Sequence, residues 1–575
     1  MNPNSKEDFR VEAWWRNSIG YIIYPAAYKD ANGDGIGDLK GIIEKLDYLR
    51  ELGIDLLWIC PIFASPMKDN GYDVSDYLHV NPLFGTDEDL STLLHEAHLR
   101  GIRVLLDFAM NHTSDQHEWF VKAKEDPSSE ERSYYIIKKG RRDEKGNLLP
   151  PNNWGSFFST SAWEKMPNSE DEFYLHVFAP SMPDTDWSNP KLRERYYEIA
   201  RHYVDLGVDG FRMDAISHLA KNPTFEDSPL KAGKEGYVLD PNEFSNRPEL
   251  LGYLKEFREK GVNENTLLVG EVGGCVQPAQ ARLFSERGRG PINLVFNFDT
   301  VWNNGAFGSI DKKDDEIKTD VVSLKNNFMR WYENAETCDL PLYWCNHDHP
   351  RVLSQYGSVN FRAESAKMLV TTLLFLYGTP FIYQGDEIGM SNVTYDKVED
   401  FLNDDANVDA LKAMRNEGRD EETILRFWRR TNRINARTPM QWDKTSYAGF
   451  SKVAPKVKVN DNYKEGVNVQ EQMEDPYSIL NYFQYAISFR KNATYNDIVN
   501  NGKLEIVDYN HPDVFAYRHR GSSTIMVISN FRPYQTYFTF NYEIGDIVLH
   551  NYDGVLLKDH VFTLRPFECY LLKIR

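Results

Sequence analysis

The stretch 194-ERYYEIARHYVDLGVDGFRMD-214 contains one complete structural unit. Its first half sets apolar side chains at helical spacing, Gly207 halts the helix, and 208-VDGFRMD-214 follows as a short β-rich run. That run closes on Arg212 and Asp214, two positions apart and therefore on one face of a strand. A helix, a glycine stop and a strand with a polar end together form the repeat of a parallel sheet with crossover helices.

The same unit recurs along the chain. Short β-rich runs stand at 19-IGYIIYP-25, 54-IDLLWICPI-62, 101-GIRVLLDF-108, 266-TLLVGEV-272, 292-INLVFNF-298, 341-PLYWCNHD-348 and 376-LYGTPFIYQGDE-387. Helical stretches such as 42-IIEKLDYLREL-52, stopped by Gly53, lie between them. With 208–214 the runs number eight, which predicts an α/β fold, a (β/α)8 TIM barrel. Two intervals exceed a simple crossover. Residues 109–178, after the third strand, carry scattered Pro, Gly and Asn with short β-like pieces and read as an inserted lobe; about 388–450, after the eighth, is charged and partly helical. Both follow the C-terminal ends of strands, the face where barrel sites form. From about 496 the pattern changes to alternating strands at 503–509, 514–520, 523–531, 536–540 and 561–574, an antiparallel β domain. The expected division is a catalytic barrel over 1–108 and 179–495, a lobe over 109–178 and a C-terminal β-sandwich over 496–575.

Composition excludes several functions. With 575 residues and 41% hydrophobic content the chain can bury a large core, while a net charge of −20 opposes phosphate backbones and anionic membranes. No nucleic acid is expected as a partner. No apolar run reaches the ~18 residues that cross a bilayer, and the polar N-terminus lacks the apolar stretch of a signal peptide. Cys60, Cys275, Cys338, Cys345 and Cys569 form no closely spaced metal or disulfide pattern. The expectation is a cytoplasmic monomer, away from membranes, acting on a small substrate.

Strand ends then give the chemistry. The third strand ends in Asp107 and leads to Asn111-His112, the fourth gives Arg212 and Asp214, the fifth Glu271, and the seventh Asn346-His347-Asp348. Asp107 and Asn111 suit a structural role, bonding loop backbone. Several carboxylates without a metal cluster, a reactive Ser or Cys, or a phosphate loop fit glycoside hydrolysis, which needs a nucleophilic carboxylate and a carboxylic acid. Asp214 and Glu271 can supply that pair. Burial and nearby acids should raise Glu271 so that it stays protonated, whereas Arg212 should hold Asp214 low.

The segments 107-DFAMNH-112, 210-GFRMDAI-216, 270-GEV-272 and 346-NHD-348 resemble the four motifs of the α-amylase superfamily of glycoside hydrolases (family 13), in order. Further matches at 70-NGYDVSDY-77, 152-NNWGSFFSTSAW-163, 384-QGDEIGM-390 and 436-ARTPMQW-442 resemble its oligo-1,6-glucosidase and α-glucosidase branch. The resemblance implies a retaining mechanism with Asp214 as nucleophile, Glu271 as acid and base, and Asp348 stabilising the transition state. It implies His112 and His347 as hydrogen-bonding partners of the sugar, and Asp69, Tyr72 and Arg437 as the blind end of a pocket for one terminal glucose. Phe158 and Phe178 match aromatic positions contributed by the lobe. Three positions depart from that branch. Ala215 follows the nucleophile where α-1,6-selective relatives commonly have Val and α-1,4-selective relatives Thr; His349 and Met182 stand where Gln is common. The implied activity is exo-acting hydrolysis of short α-glucosides such as isomaltose or sucrose. The alternatives are a transglucosylase or sucrose isomerase, and a trehalose 6-phosphate hydrolase.

One loop suggests a metal. In 30-DANGDGIGDLKG-41, oxygen-bearing side chains fall at positions 1, 3, 5 and 9 with Gly at 6, close to a calcium loop of the EF-hand type, but position 12 is Gly41 rather than Glu. The loop joins the first strand to a helix, so it is a βα loop. In the resembling glucosidases the matching loop binds one structural cation, which implies Asp30, Asn32, Asp34, Asp38 and the Ile36 carbonyl as ligands to calcium, with magnesium as the alternative.

Overall fold

The computed structural model describes residues 13–158, 160–273, 276–299, 306–334 and 337–575. All eight expected strands form: β1 Gly20–Ile23, β2 Leu56–Ile59, β3 Arg103–Ala109, β4 Gly210–Asp214, β5 Leu267–Glu271, β6 Leu294–Phe296, β7 Pro341–Tyr343 and β8 Thr379–Tyr383. Their order in one sheet is β6-β5-β4-β3-β2-β1-β8-β7, and each adjacent pair is parallel. The seam lies between β6 and β7. There the Tyr343 hydroxyl donates to the Asn297 carbonyl at 2.7 Å and Phe296 meets the Tyr343 ring edge-on, 5.0 Å between centroids.

Local chemistry accounts for the elements. The helix Pro190–Leu206 opens with Pro at its first position under an Asn189 cap and closes at Gly207, whose φ of 108° is left-handed. Gly53 ends the helix Leu46–Leu52 in the same way. Gly210, at the start of β4, has a different reason. A Cβ there would lie 2.1 Å from the Leu267 carbonyl oxygen, so the close approach of β4 to β5 requires glycine.

The 109–178 segment holds a three-stranded antiparallel sheet (Ile137–Lys139, Glu172–Leu175, Trp163–Lys165) and a small core that includes Trp154, Trp163 and Phe173. Its connections run past residue 178: Asp184 N donates to Leu175 O at 2.8 Å and Tyr135 bridges Thr185. The segment after β4 also folds onto it. Trp154 bridges Val238, its indole donates to Glu226 O at 2.9 Å, and Phe244 enters the small core.

Beyond the helix Ala493–Asn501, a five-stranded antiparallel sheet faces a three-stranded one across a second core. Two corrections apply here. Strand Ile544–His550 was not anticipated, because most of its residues are exposed or half-exposed and it lacks apolar alternation. The single run expected over 561–574 is two strands, Val561–Leu564 and Cys569–Ile574, broken at a turn where Phe567 has a φ of 51°. Among the described residues no helix is long and apolar enough to cross a membrane.

Candidate active site

The C-terminal ends of β3, β4 and β5 bring three carboxylates onto one guanidinium. Arg212 and Asp214 share a face of β4, and Arg212 is in register with Asp107 of β3. Arg212 Nη1 donates to Asp107 Oδ1 (2.9 Å) and Asp214 Oδ1 (2.6 Å), and Nη2 to Glu271 Oε2 (2.6 Å). Asp107 is an acceptor of side-chain donors rather than of the loop backbone expected for it. It also takes the Trp58 indole N–H at 3.1 Å and the Tyr72 hydroxyl at 2.9 Å, which fixes both rings.

Arg212 does not single out Asp214, contrary to expectation. It bonds both carboxyls of the pair, and these lie within hydrogen-bonding reach of each other. Burial pushes the Asp214 carboxyl well above the usual range, with Glu271 and Asp107 adding to the rise and Arg212 opposing it. Ala215 turns the chain immediately after Asp214 with a left-handed φ of 46°, and its N–H meets Glu271 Oε2 at 3.2 Å.

A second charged group forms around Asp348. Its Oδ1 accepts from Arg437 Nη2 (2.9 Å) and Arg433 Nη1 (3.4 Å), and its Oδ2 faces His347 Nε2 at 3.0 Å. Burial alone would raise Asp348, but His347, Arg437 and Arg433 outweigh it and hold the carboxyl well below the ordinary range. The His347 ring is stacked between Tyr24 and Tyr72, and its Nδ1 lies 3.4 Å from the Cys60 thiol. Its Nε2 also lies 2.6 Å from the Tyr72 hydroxyl, so the ring is held at both nitrogens.

These groups border a cavity of about 300 Å³ lined by Asp69, Tyr72, His112, Phe158, Phe178, Met182, Asp214, Ala215, Glu271, Phe298, Asp348, His349 and Arg433. Of the anticipated substrate-binding residues, Asp69, Tyr72, His112, Phe158, Phe178 and Ala215 line it, whereas Arg212, His347 and Arg437 do not. The arginine that reaches the cavity is Arg433, not Arg437. Arg433 Nη2 pairs with Asp69 Oδ1 at 3.2 Å and closes the inner end; Arg437 is buried behind it, donating from Nε to the His347 carbonyl at 2.8 Å. Asp69 is presented by a tight turn in which Asp73 accepts the N–H groups of Lys68 and Asp69, each at 3.0 Å. Asp73, Phe298 and Arg433 were missed from the sequence. The Asp73 role was marked only by its place in 70-NGYDVSDY-77.

Burial drives the His112 ring down to about 3 and the His349 ring down to about 4, so both are neutral near pH 7. His112 is in the cavity lining, and its buried Nε2 has no hydrogen-bond partner among the described residues. Phe178 packs against the His112 ring edge-on at 5.3 Å and against Phe158 at 5.6 Å, which forms an apolar lip. A larger cavity, about 530 Å³, lies where the barrel meets the C-terminal domain, but it contains none of these groups.

The 30–38 loop stands apart from this cavity. Asp30 accepts N–H bonds from Gly33 (2.6 Å) and Gly35 (2.8 Å) and the Ser451 hydroxyl (2.6 Å); Asp38 accepts from Ala31 and Asn32, each at 3.0 Å, and from Gly41 at 2.7 Å. Asp30 and Asp38 are buried, whereas Asn32 and Asp34 are exposed and Ile36 half-buried. The donor set is all oxygen, which suits a hard cation. Among the described residues no three acidic, His or Cys side chains converge as a metal cluster.

Comparison with known proteins follows the same lines. A family model described as the alpha amylase catalytic domain matches residues 22–501. An oligo-1,6-glucosidase from Bacillus cereus is 40% identical over 98% of this chain and 99% of that protein. Among solved structures, trehalose-6-phosphate hydrolase from Bacillus licheniformis matches with a TM-score of 0.87 at 32% identity, covering 98% of this chain and 99% of that one. Isomaltulose synthase from Klebsiella sp. LX3 matches with a TM-score of 0.89 at 33% identity, covering 98% of this chain and 100% of that one.

Proposed function

The chain belongs to the α-amylase family of glycoside hydrolases, and on that premise we propose that its cavity is the site of a retaining, exo-acting α-glucosidase. Asp214 attacks the anomeric carbon while Glu271 protonates the departing oxygen, giving a β-glucosyl-enzyme. Glu271 then takes a proton from water, which attacks the same carbon and releases α-glucose. The observation that carries this reading is the shared Arg212: two carboxyls on one guanidinium are close enough for direct attack, whereas an inverting pair stands ~6.5–9.5 Å apart to admit water. Asp348, anchored by two arginines and His347, and His112 bind the sugar as it flattens toward an oxocarbenium ion.

The inner end explains the exo mode. The Asp69–Arg433 pair closes the cavity behind one sugar ring, so only a terminal residue can enter. On the acceptor side, Ala215 leaves room where a larger side chain would restrict linkage, and Met182 and His349 complete the wall. Short α-glucosides, isomaltose and isomalto-oligosaccharides first and sucrose second, are the proposed substrates. A phosphorylated disaccharide fits less well. Arg433 is the cavity's cationic side chain among the described lining residues, and it already serves Asp69, Asp348 and Asp404. Transfer of the glucosyl group to a second sugar is the competing outcome, favoured by the likeness to isomaltulose synthase.

A panel of maltose, isomaltose, sucrose, trehalose and trehalose 6-phosphate tests the reading, with Asp214→Asn as control. Isomaltose turnover and free glucose from sucrose are expected, with the variant reduced ~10⁴-fold or more. Strict α-1,4 preference, a rearranged disaccharide as main product, or an active variant would overturn it.

Three further assignments belong to the same reading. Oxygen donors at alternate positions of the 30–38 loop support a structural calcium, or magnesium, held by Asp30, Asn32, Asp34, Asp38 and the Ile36 carbonyl. A cytoplasmic location is supported by Cys60, Cys338, Cys345 and Cys569, all free and buried. A monomer is proposed as the third.

A further inference from the structure

The helical insertion after β8 has a distinct architecture. Its helices Asp405–Asn416 and Glu421–Thr431 pack on a small core of their own that includes Phe401, Ile424 and Trp428. Asp404 immediately precedes the first helix, and Arg433 follows the second. The two side chains meet at the base of the hairpin in a bidentate pair, Arg433 Nε to Asp404 Oδ2 at 2.6 Å and Nη2 to Oδ1 at 2.9 Å. Asp404 also accepts from Arg437 Nη1 at 3.4 Å and caps the helix through Ala406 N at 3.2 Å. It is 3% exposed and does not line the site cavity.

We propose that Asp404 is a positioning residue, the counter-charge that aims Arg433 and Arg437 at the sugar-binding carboxylates and so makes the helical insertion part of the glucose subsite. The two guanidiniums converge on one oxygen, Asp348 Oδ1, and Arg433 also reaches Asp69. Like charges so placed repel unless a third carboxylate stands behind them. With Asp404 present, Arg433 is held from one edge and shows only part of its donor set to Asp69 and Asp348. Without it, Arg433 is free to collapse onto those two acids, occupying the lone pairs that a bound glucose needs. The effect falls on binding of the terminal sugar, because Asp404 is far in bonding terms from Asp214 and Glu271, which answer to Arg212.

The proposal rests on the site reading above, and the experiment separates the two. Asp404→Asn keeps a helix cap, since Asn caps as well as Asp, but removes the charge. In the full chain acting on isomaltose, it is expected to raise KM ~10-fold or more with kcat within about threefold, and to weaken competitive inhibition by glucose in parallel. Asp404→Glu should recover part of the loss. Asn407→Ala serves as the structural comparison. It breaks the Asn432 Nδ2 to Asn407 Oδ1 bond of 2.8 Å at the same hairpin base without touching either arginine, and should lower Tm while leaving KM unchanged. Unchanged KM in Asp404→Asn, or an equal rise in Asn407→Ala, would overturn the proposal. Failure of the site reading would appear instead as turnover by Asp214→Asn.

Discussion

A single guanidinium, that of Arg212, serves three carboxylates from three strands, and this sharing sets the chemistry of the site. The spacing of Arg212 and Asp214 made their common face legible in the sequence, because side chains two apart on a strand point the same way. That Glu271 would join the same cation depends on the register of β4 against β5, which no local pattern encodes. Arg433 was hidden for a related reason. In 432-NRINAR-437 two arginines stand four apart, and only the 3-10 turn Arg433–Asn435 decides which one enters the cavity. Asp386, at the end of β8, allows a test at this scale. Burial lifts its carboxyl to about 8, and Oδ1 has no partner among the described residues. Between about 4 and about 8 the folded state therefore holds a proton that the unfolded state has lost, so stability falls as pH rises across that window, by up to ~1.4 kcal/mol per pH unit. Asp386→Asn should remove that slope. Thermal melts from pH 5 to 9 should show the variant gaining on the wild type as pH rises; parallel curves would exclude the effect.

Elements divide by how much of their surface is buried. The eight barrel strands were legible because each is a short apolar run covered on both faces. Strand Ile544–His550 was not, since its exposed side chains carry no period. The packing of residues 222–244 on the lobe was equally silent, because most of that segment has no regular structure to announce it. The 30–38 loop shows both sides. Its turns were readable from Gly33 and Gly35, which take φ of 86° and 89°, and its buried acids Asp30 and Asp38 bind the loop's own N–H groups. In a loop already braced in this way the proposed cation would reinforce rather than switch. A chelator should lower Tm, calcium should restore it, and kcat at low temperature should change little. Reversible loss of activity at constant Tm would show instead that the ion acts in the reaction.

At the scale of the molecule, the barrel brings the strand ends to one face, the lobe supplies Phe158 and Phe178, and the helical insertion supplies Arg433. The fold class and the main carboxylates were readable because repetition of one unit specifies a barrel and a barrel specifies where its polar strand ends go. The closure of the subsite was only partly readable, because it depends on segments far apart in the chain, Asp69 and Arg433, meeting at its inner end. On the proposed reading these parts serve attack on the anomeric carbon by Asp214 and then by water, both within one pocket. Such a double displacement returns the sugar to its starting configuration. Proton NMR of the glucose released from sucrose, whose other product is fructose, recorded before mutarotation, tests this most directly: α-glucose is the predicted first product, and β-glucose would contradict it.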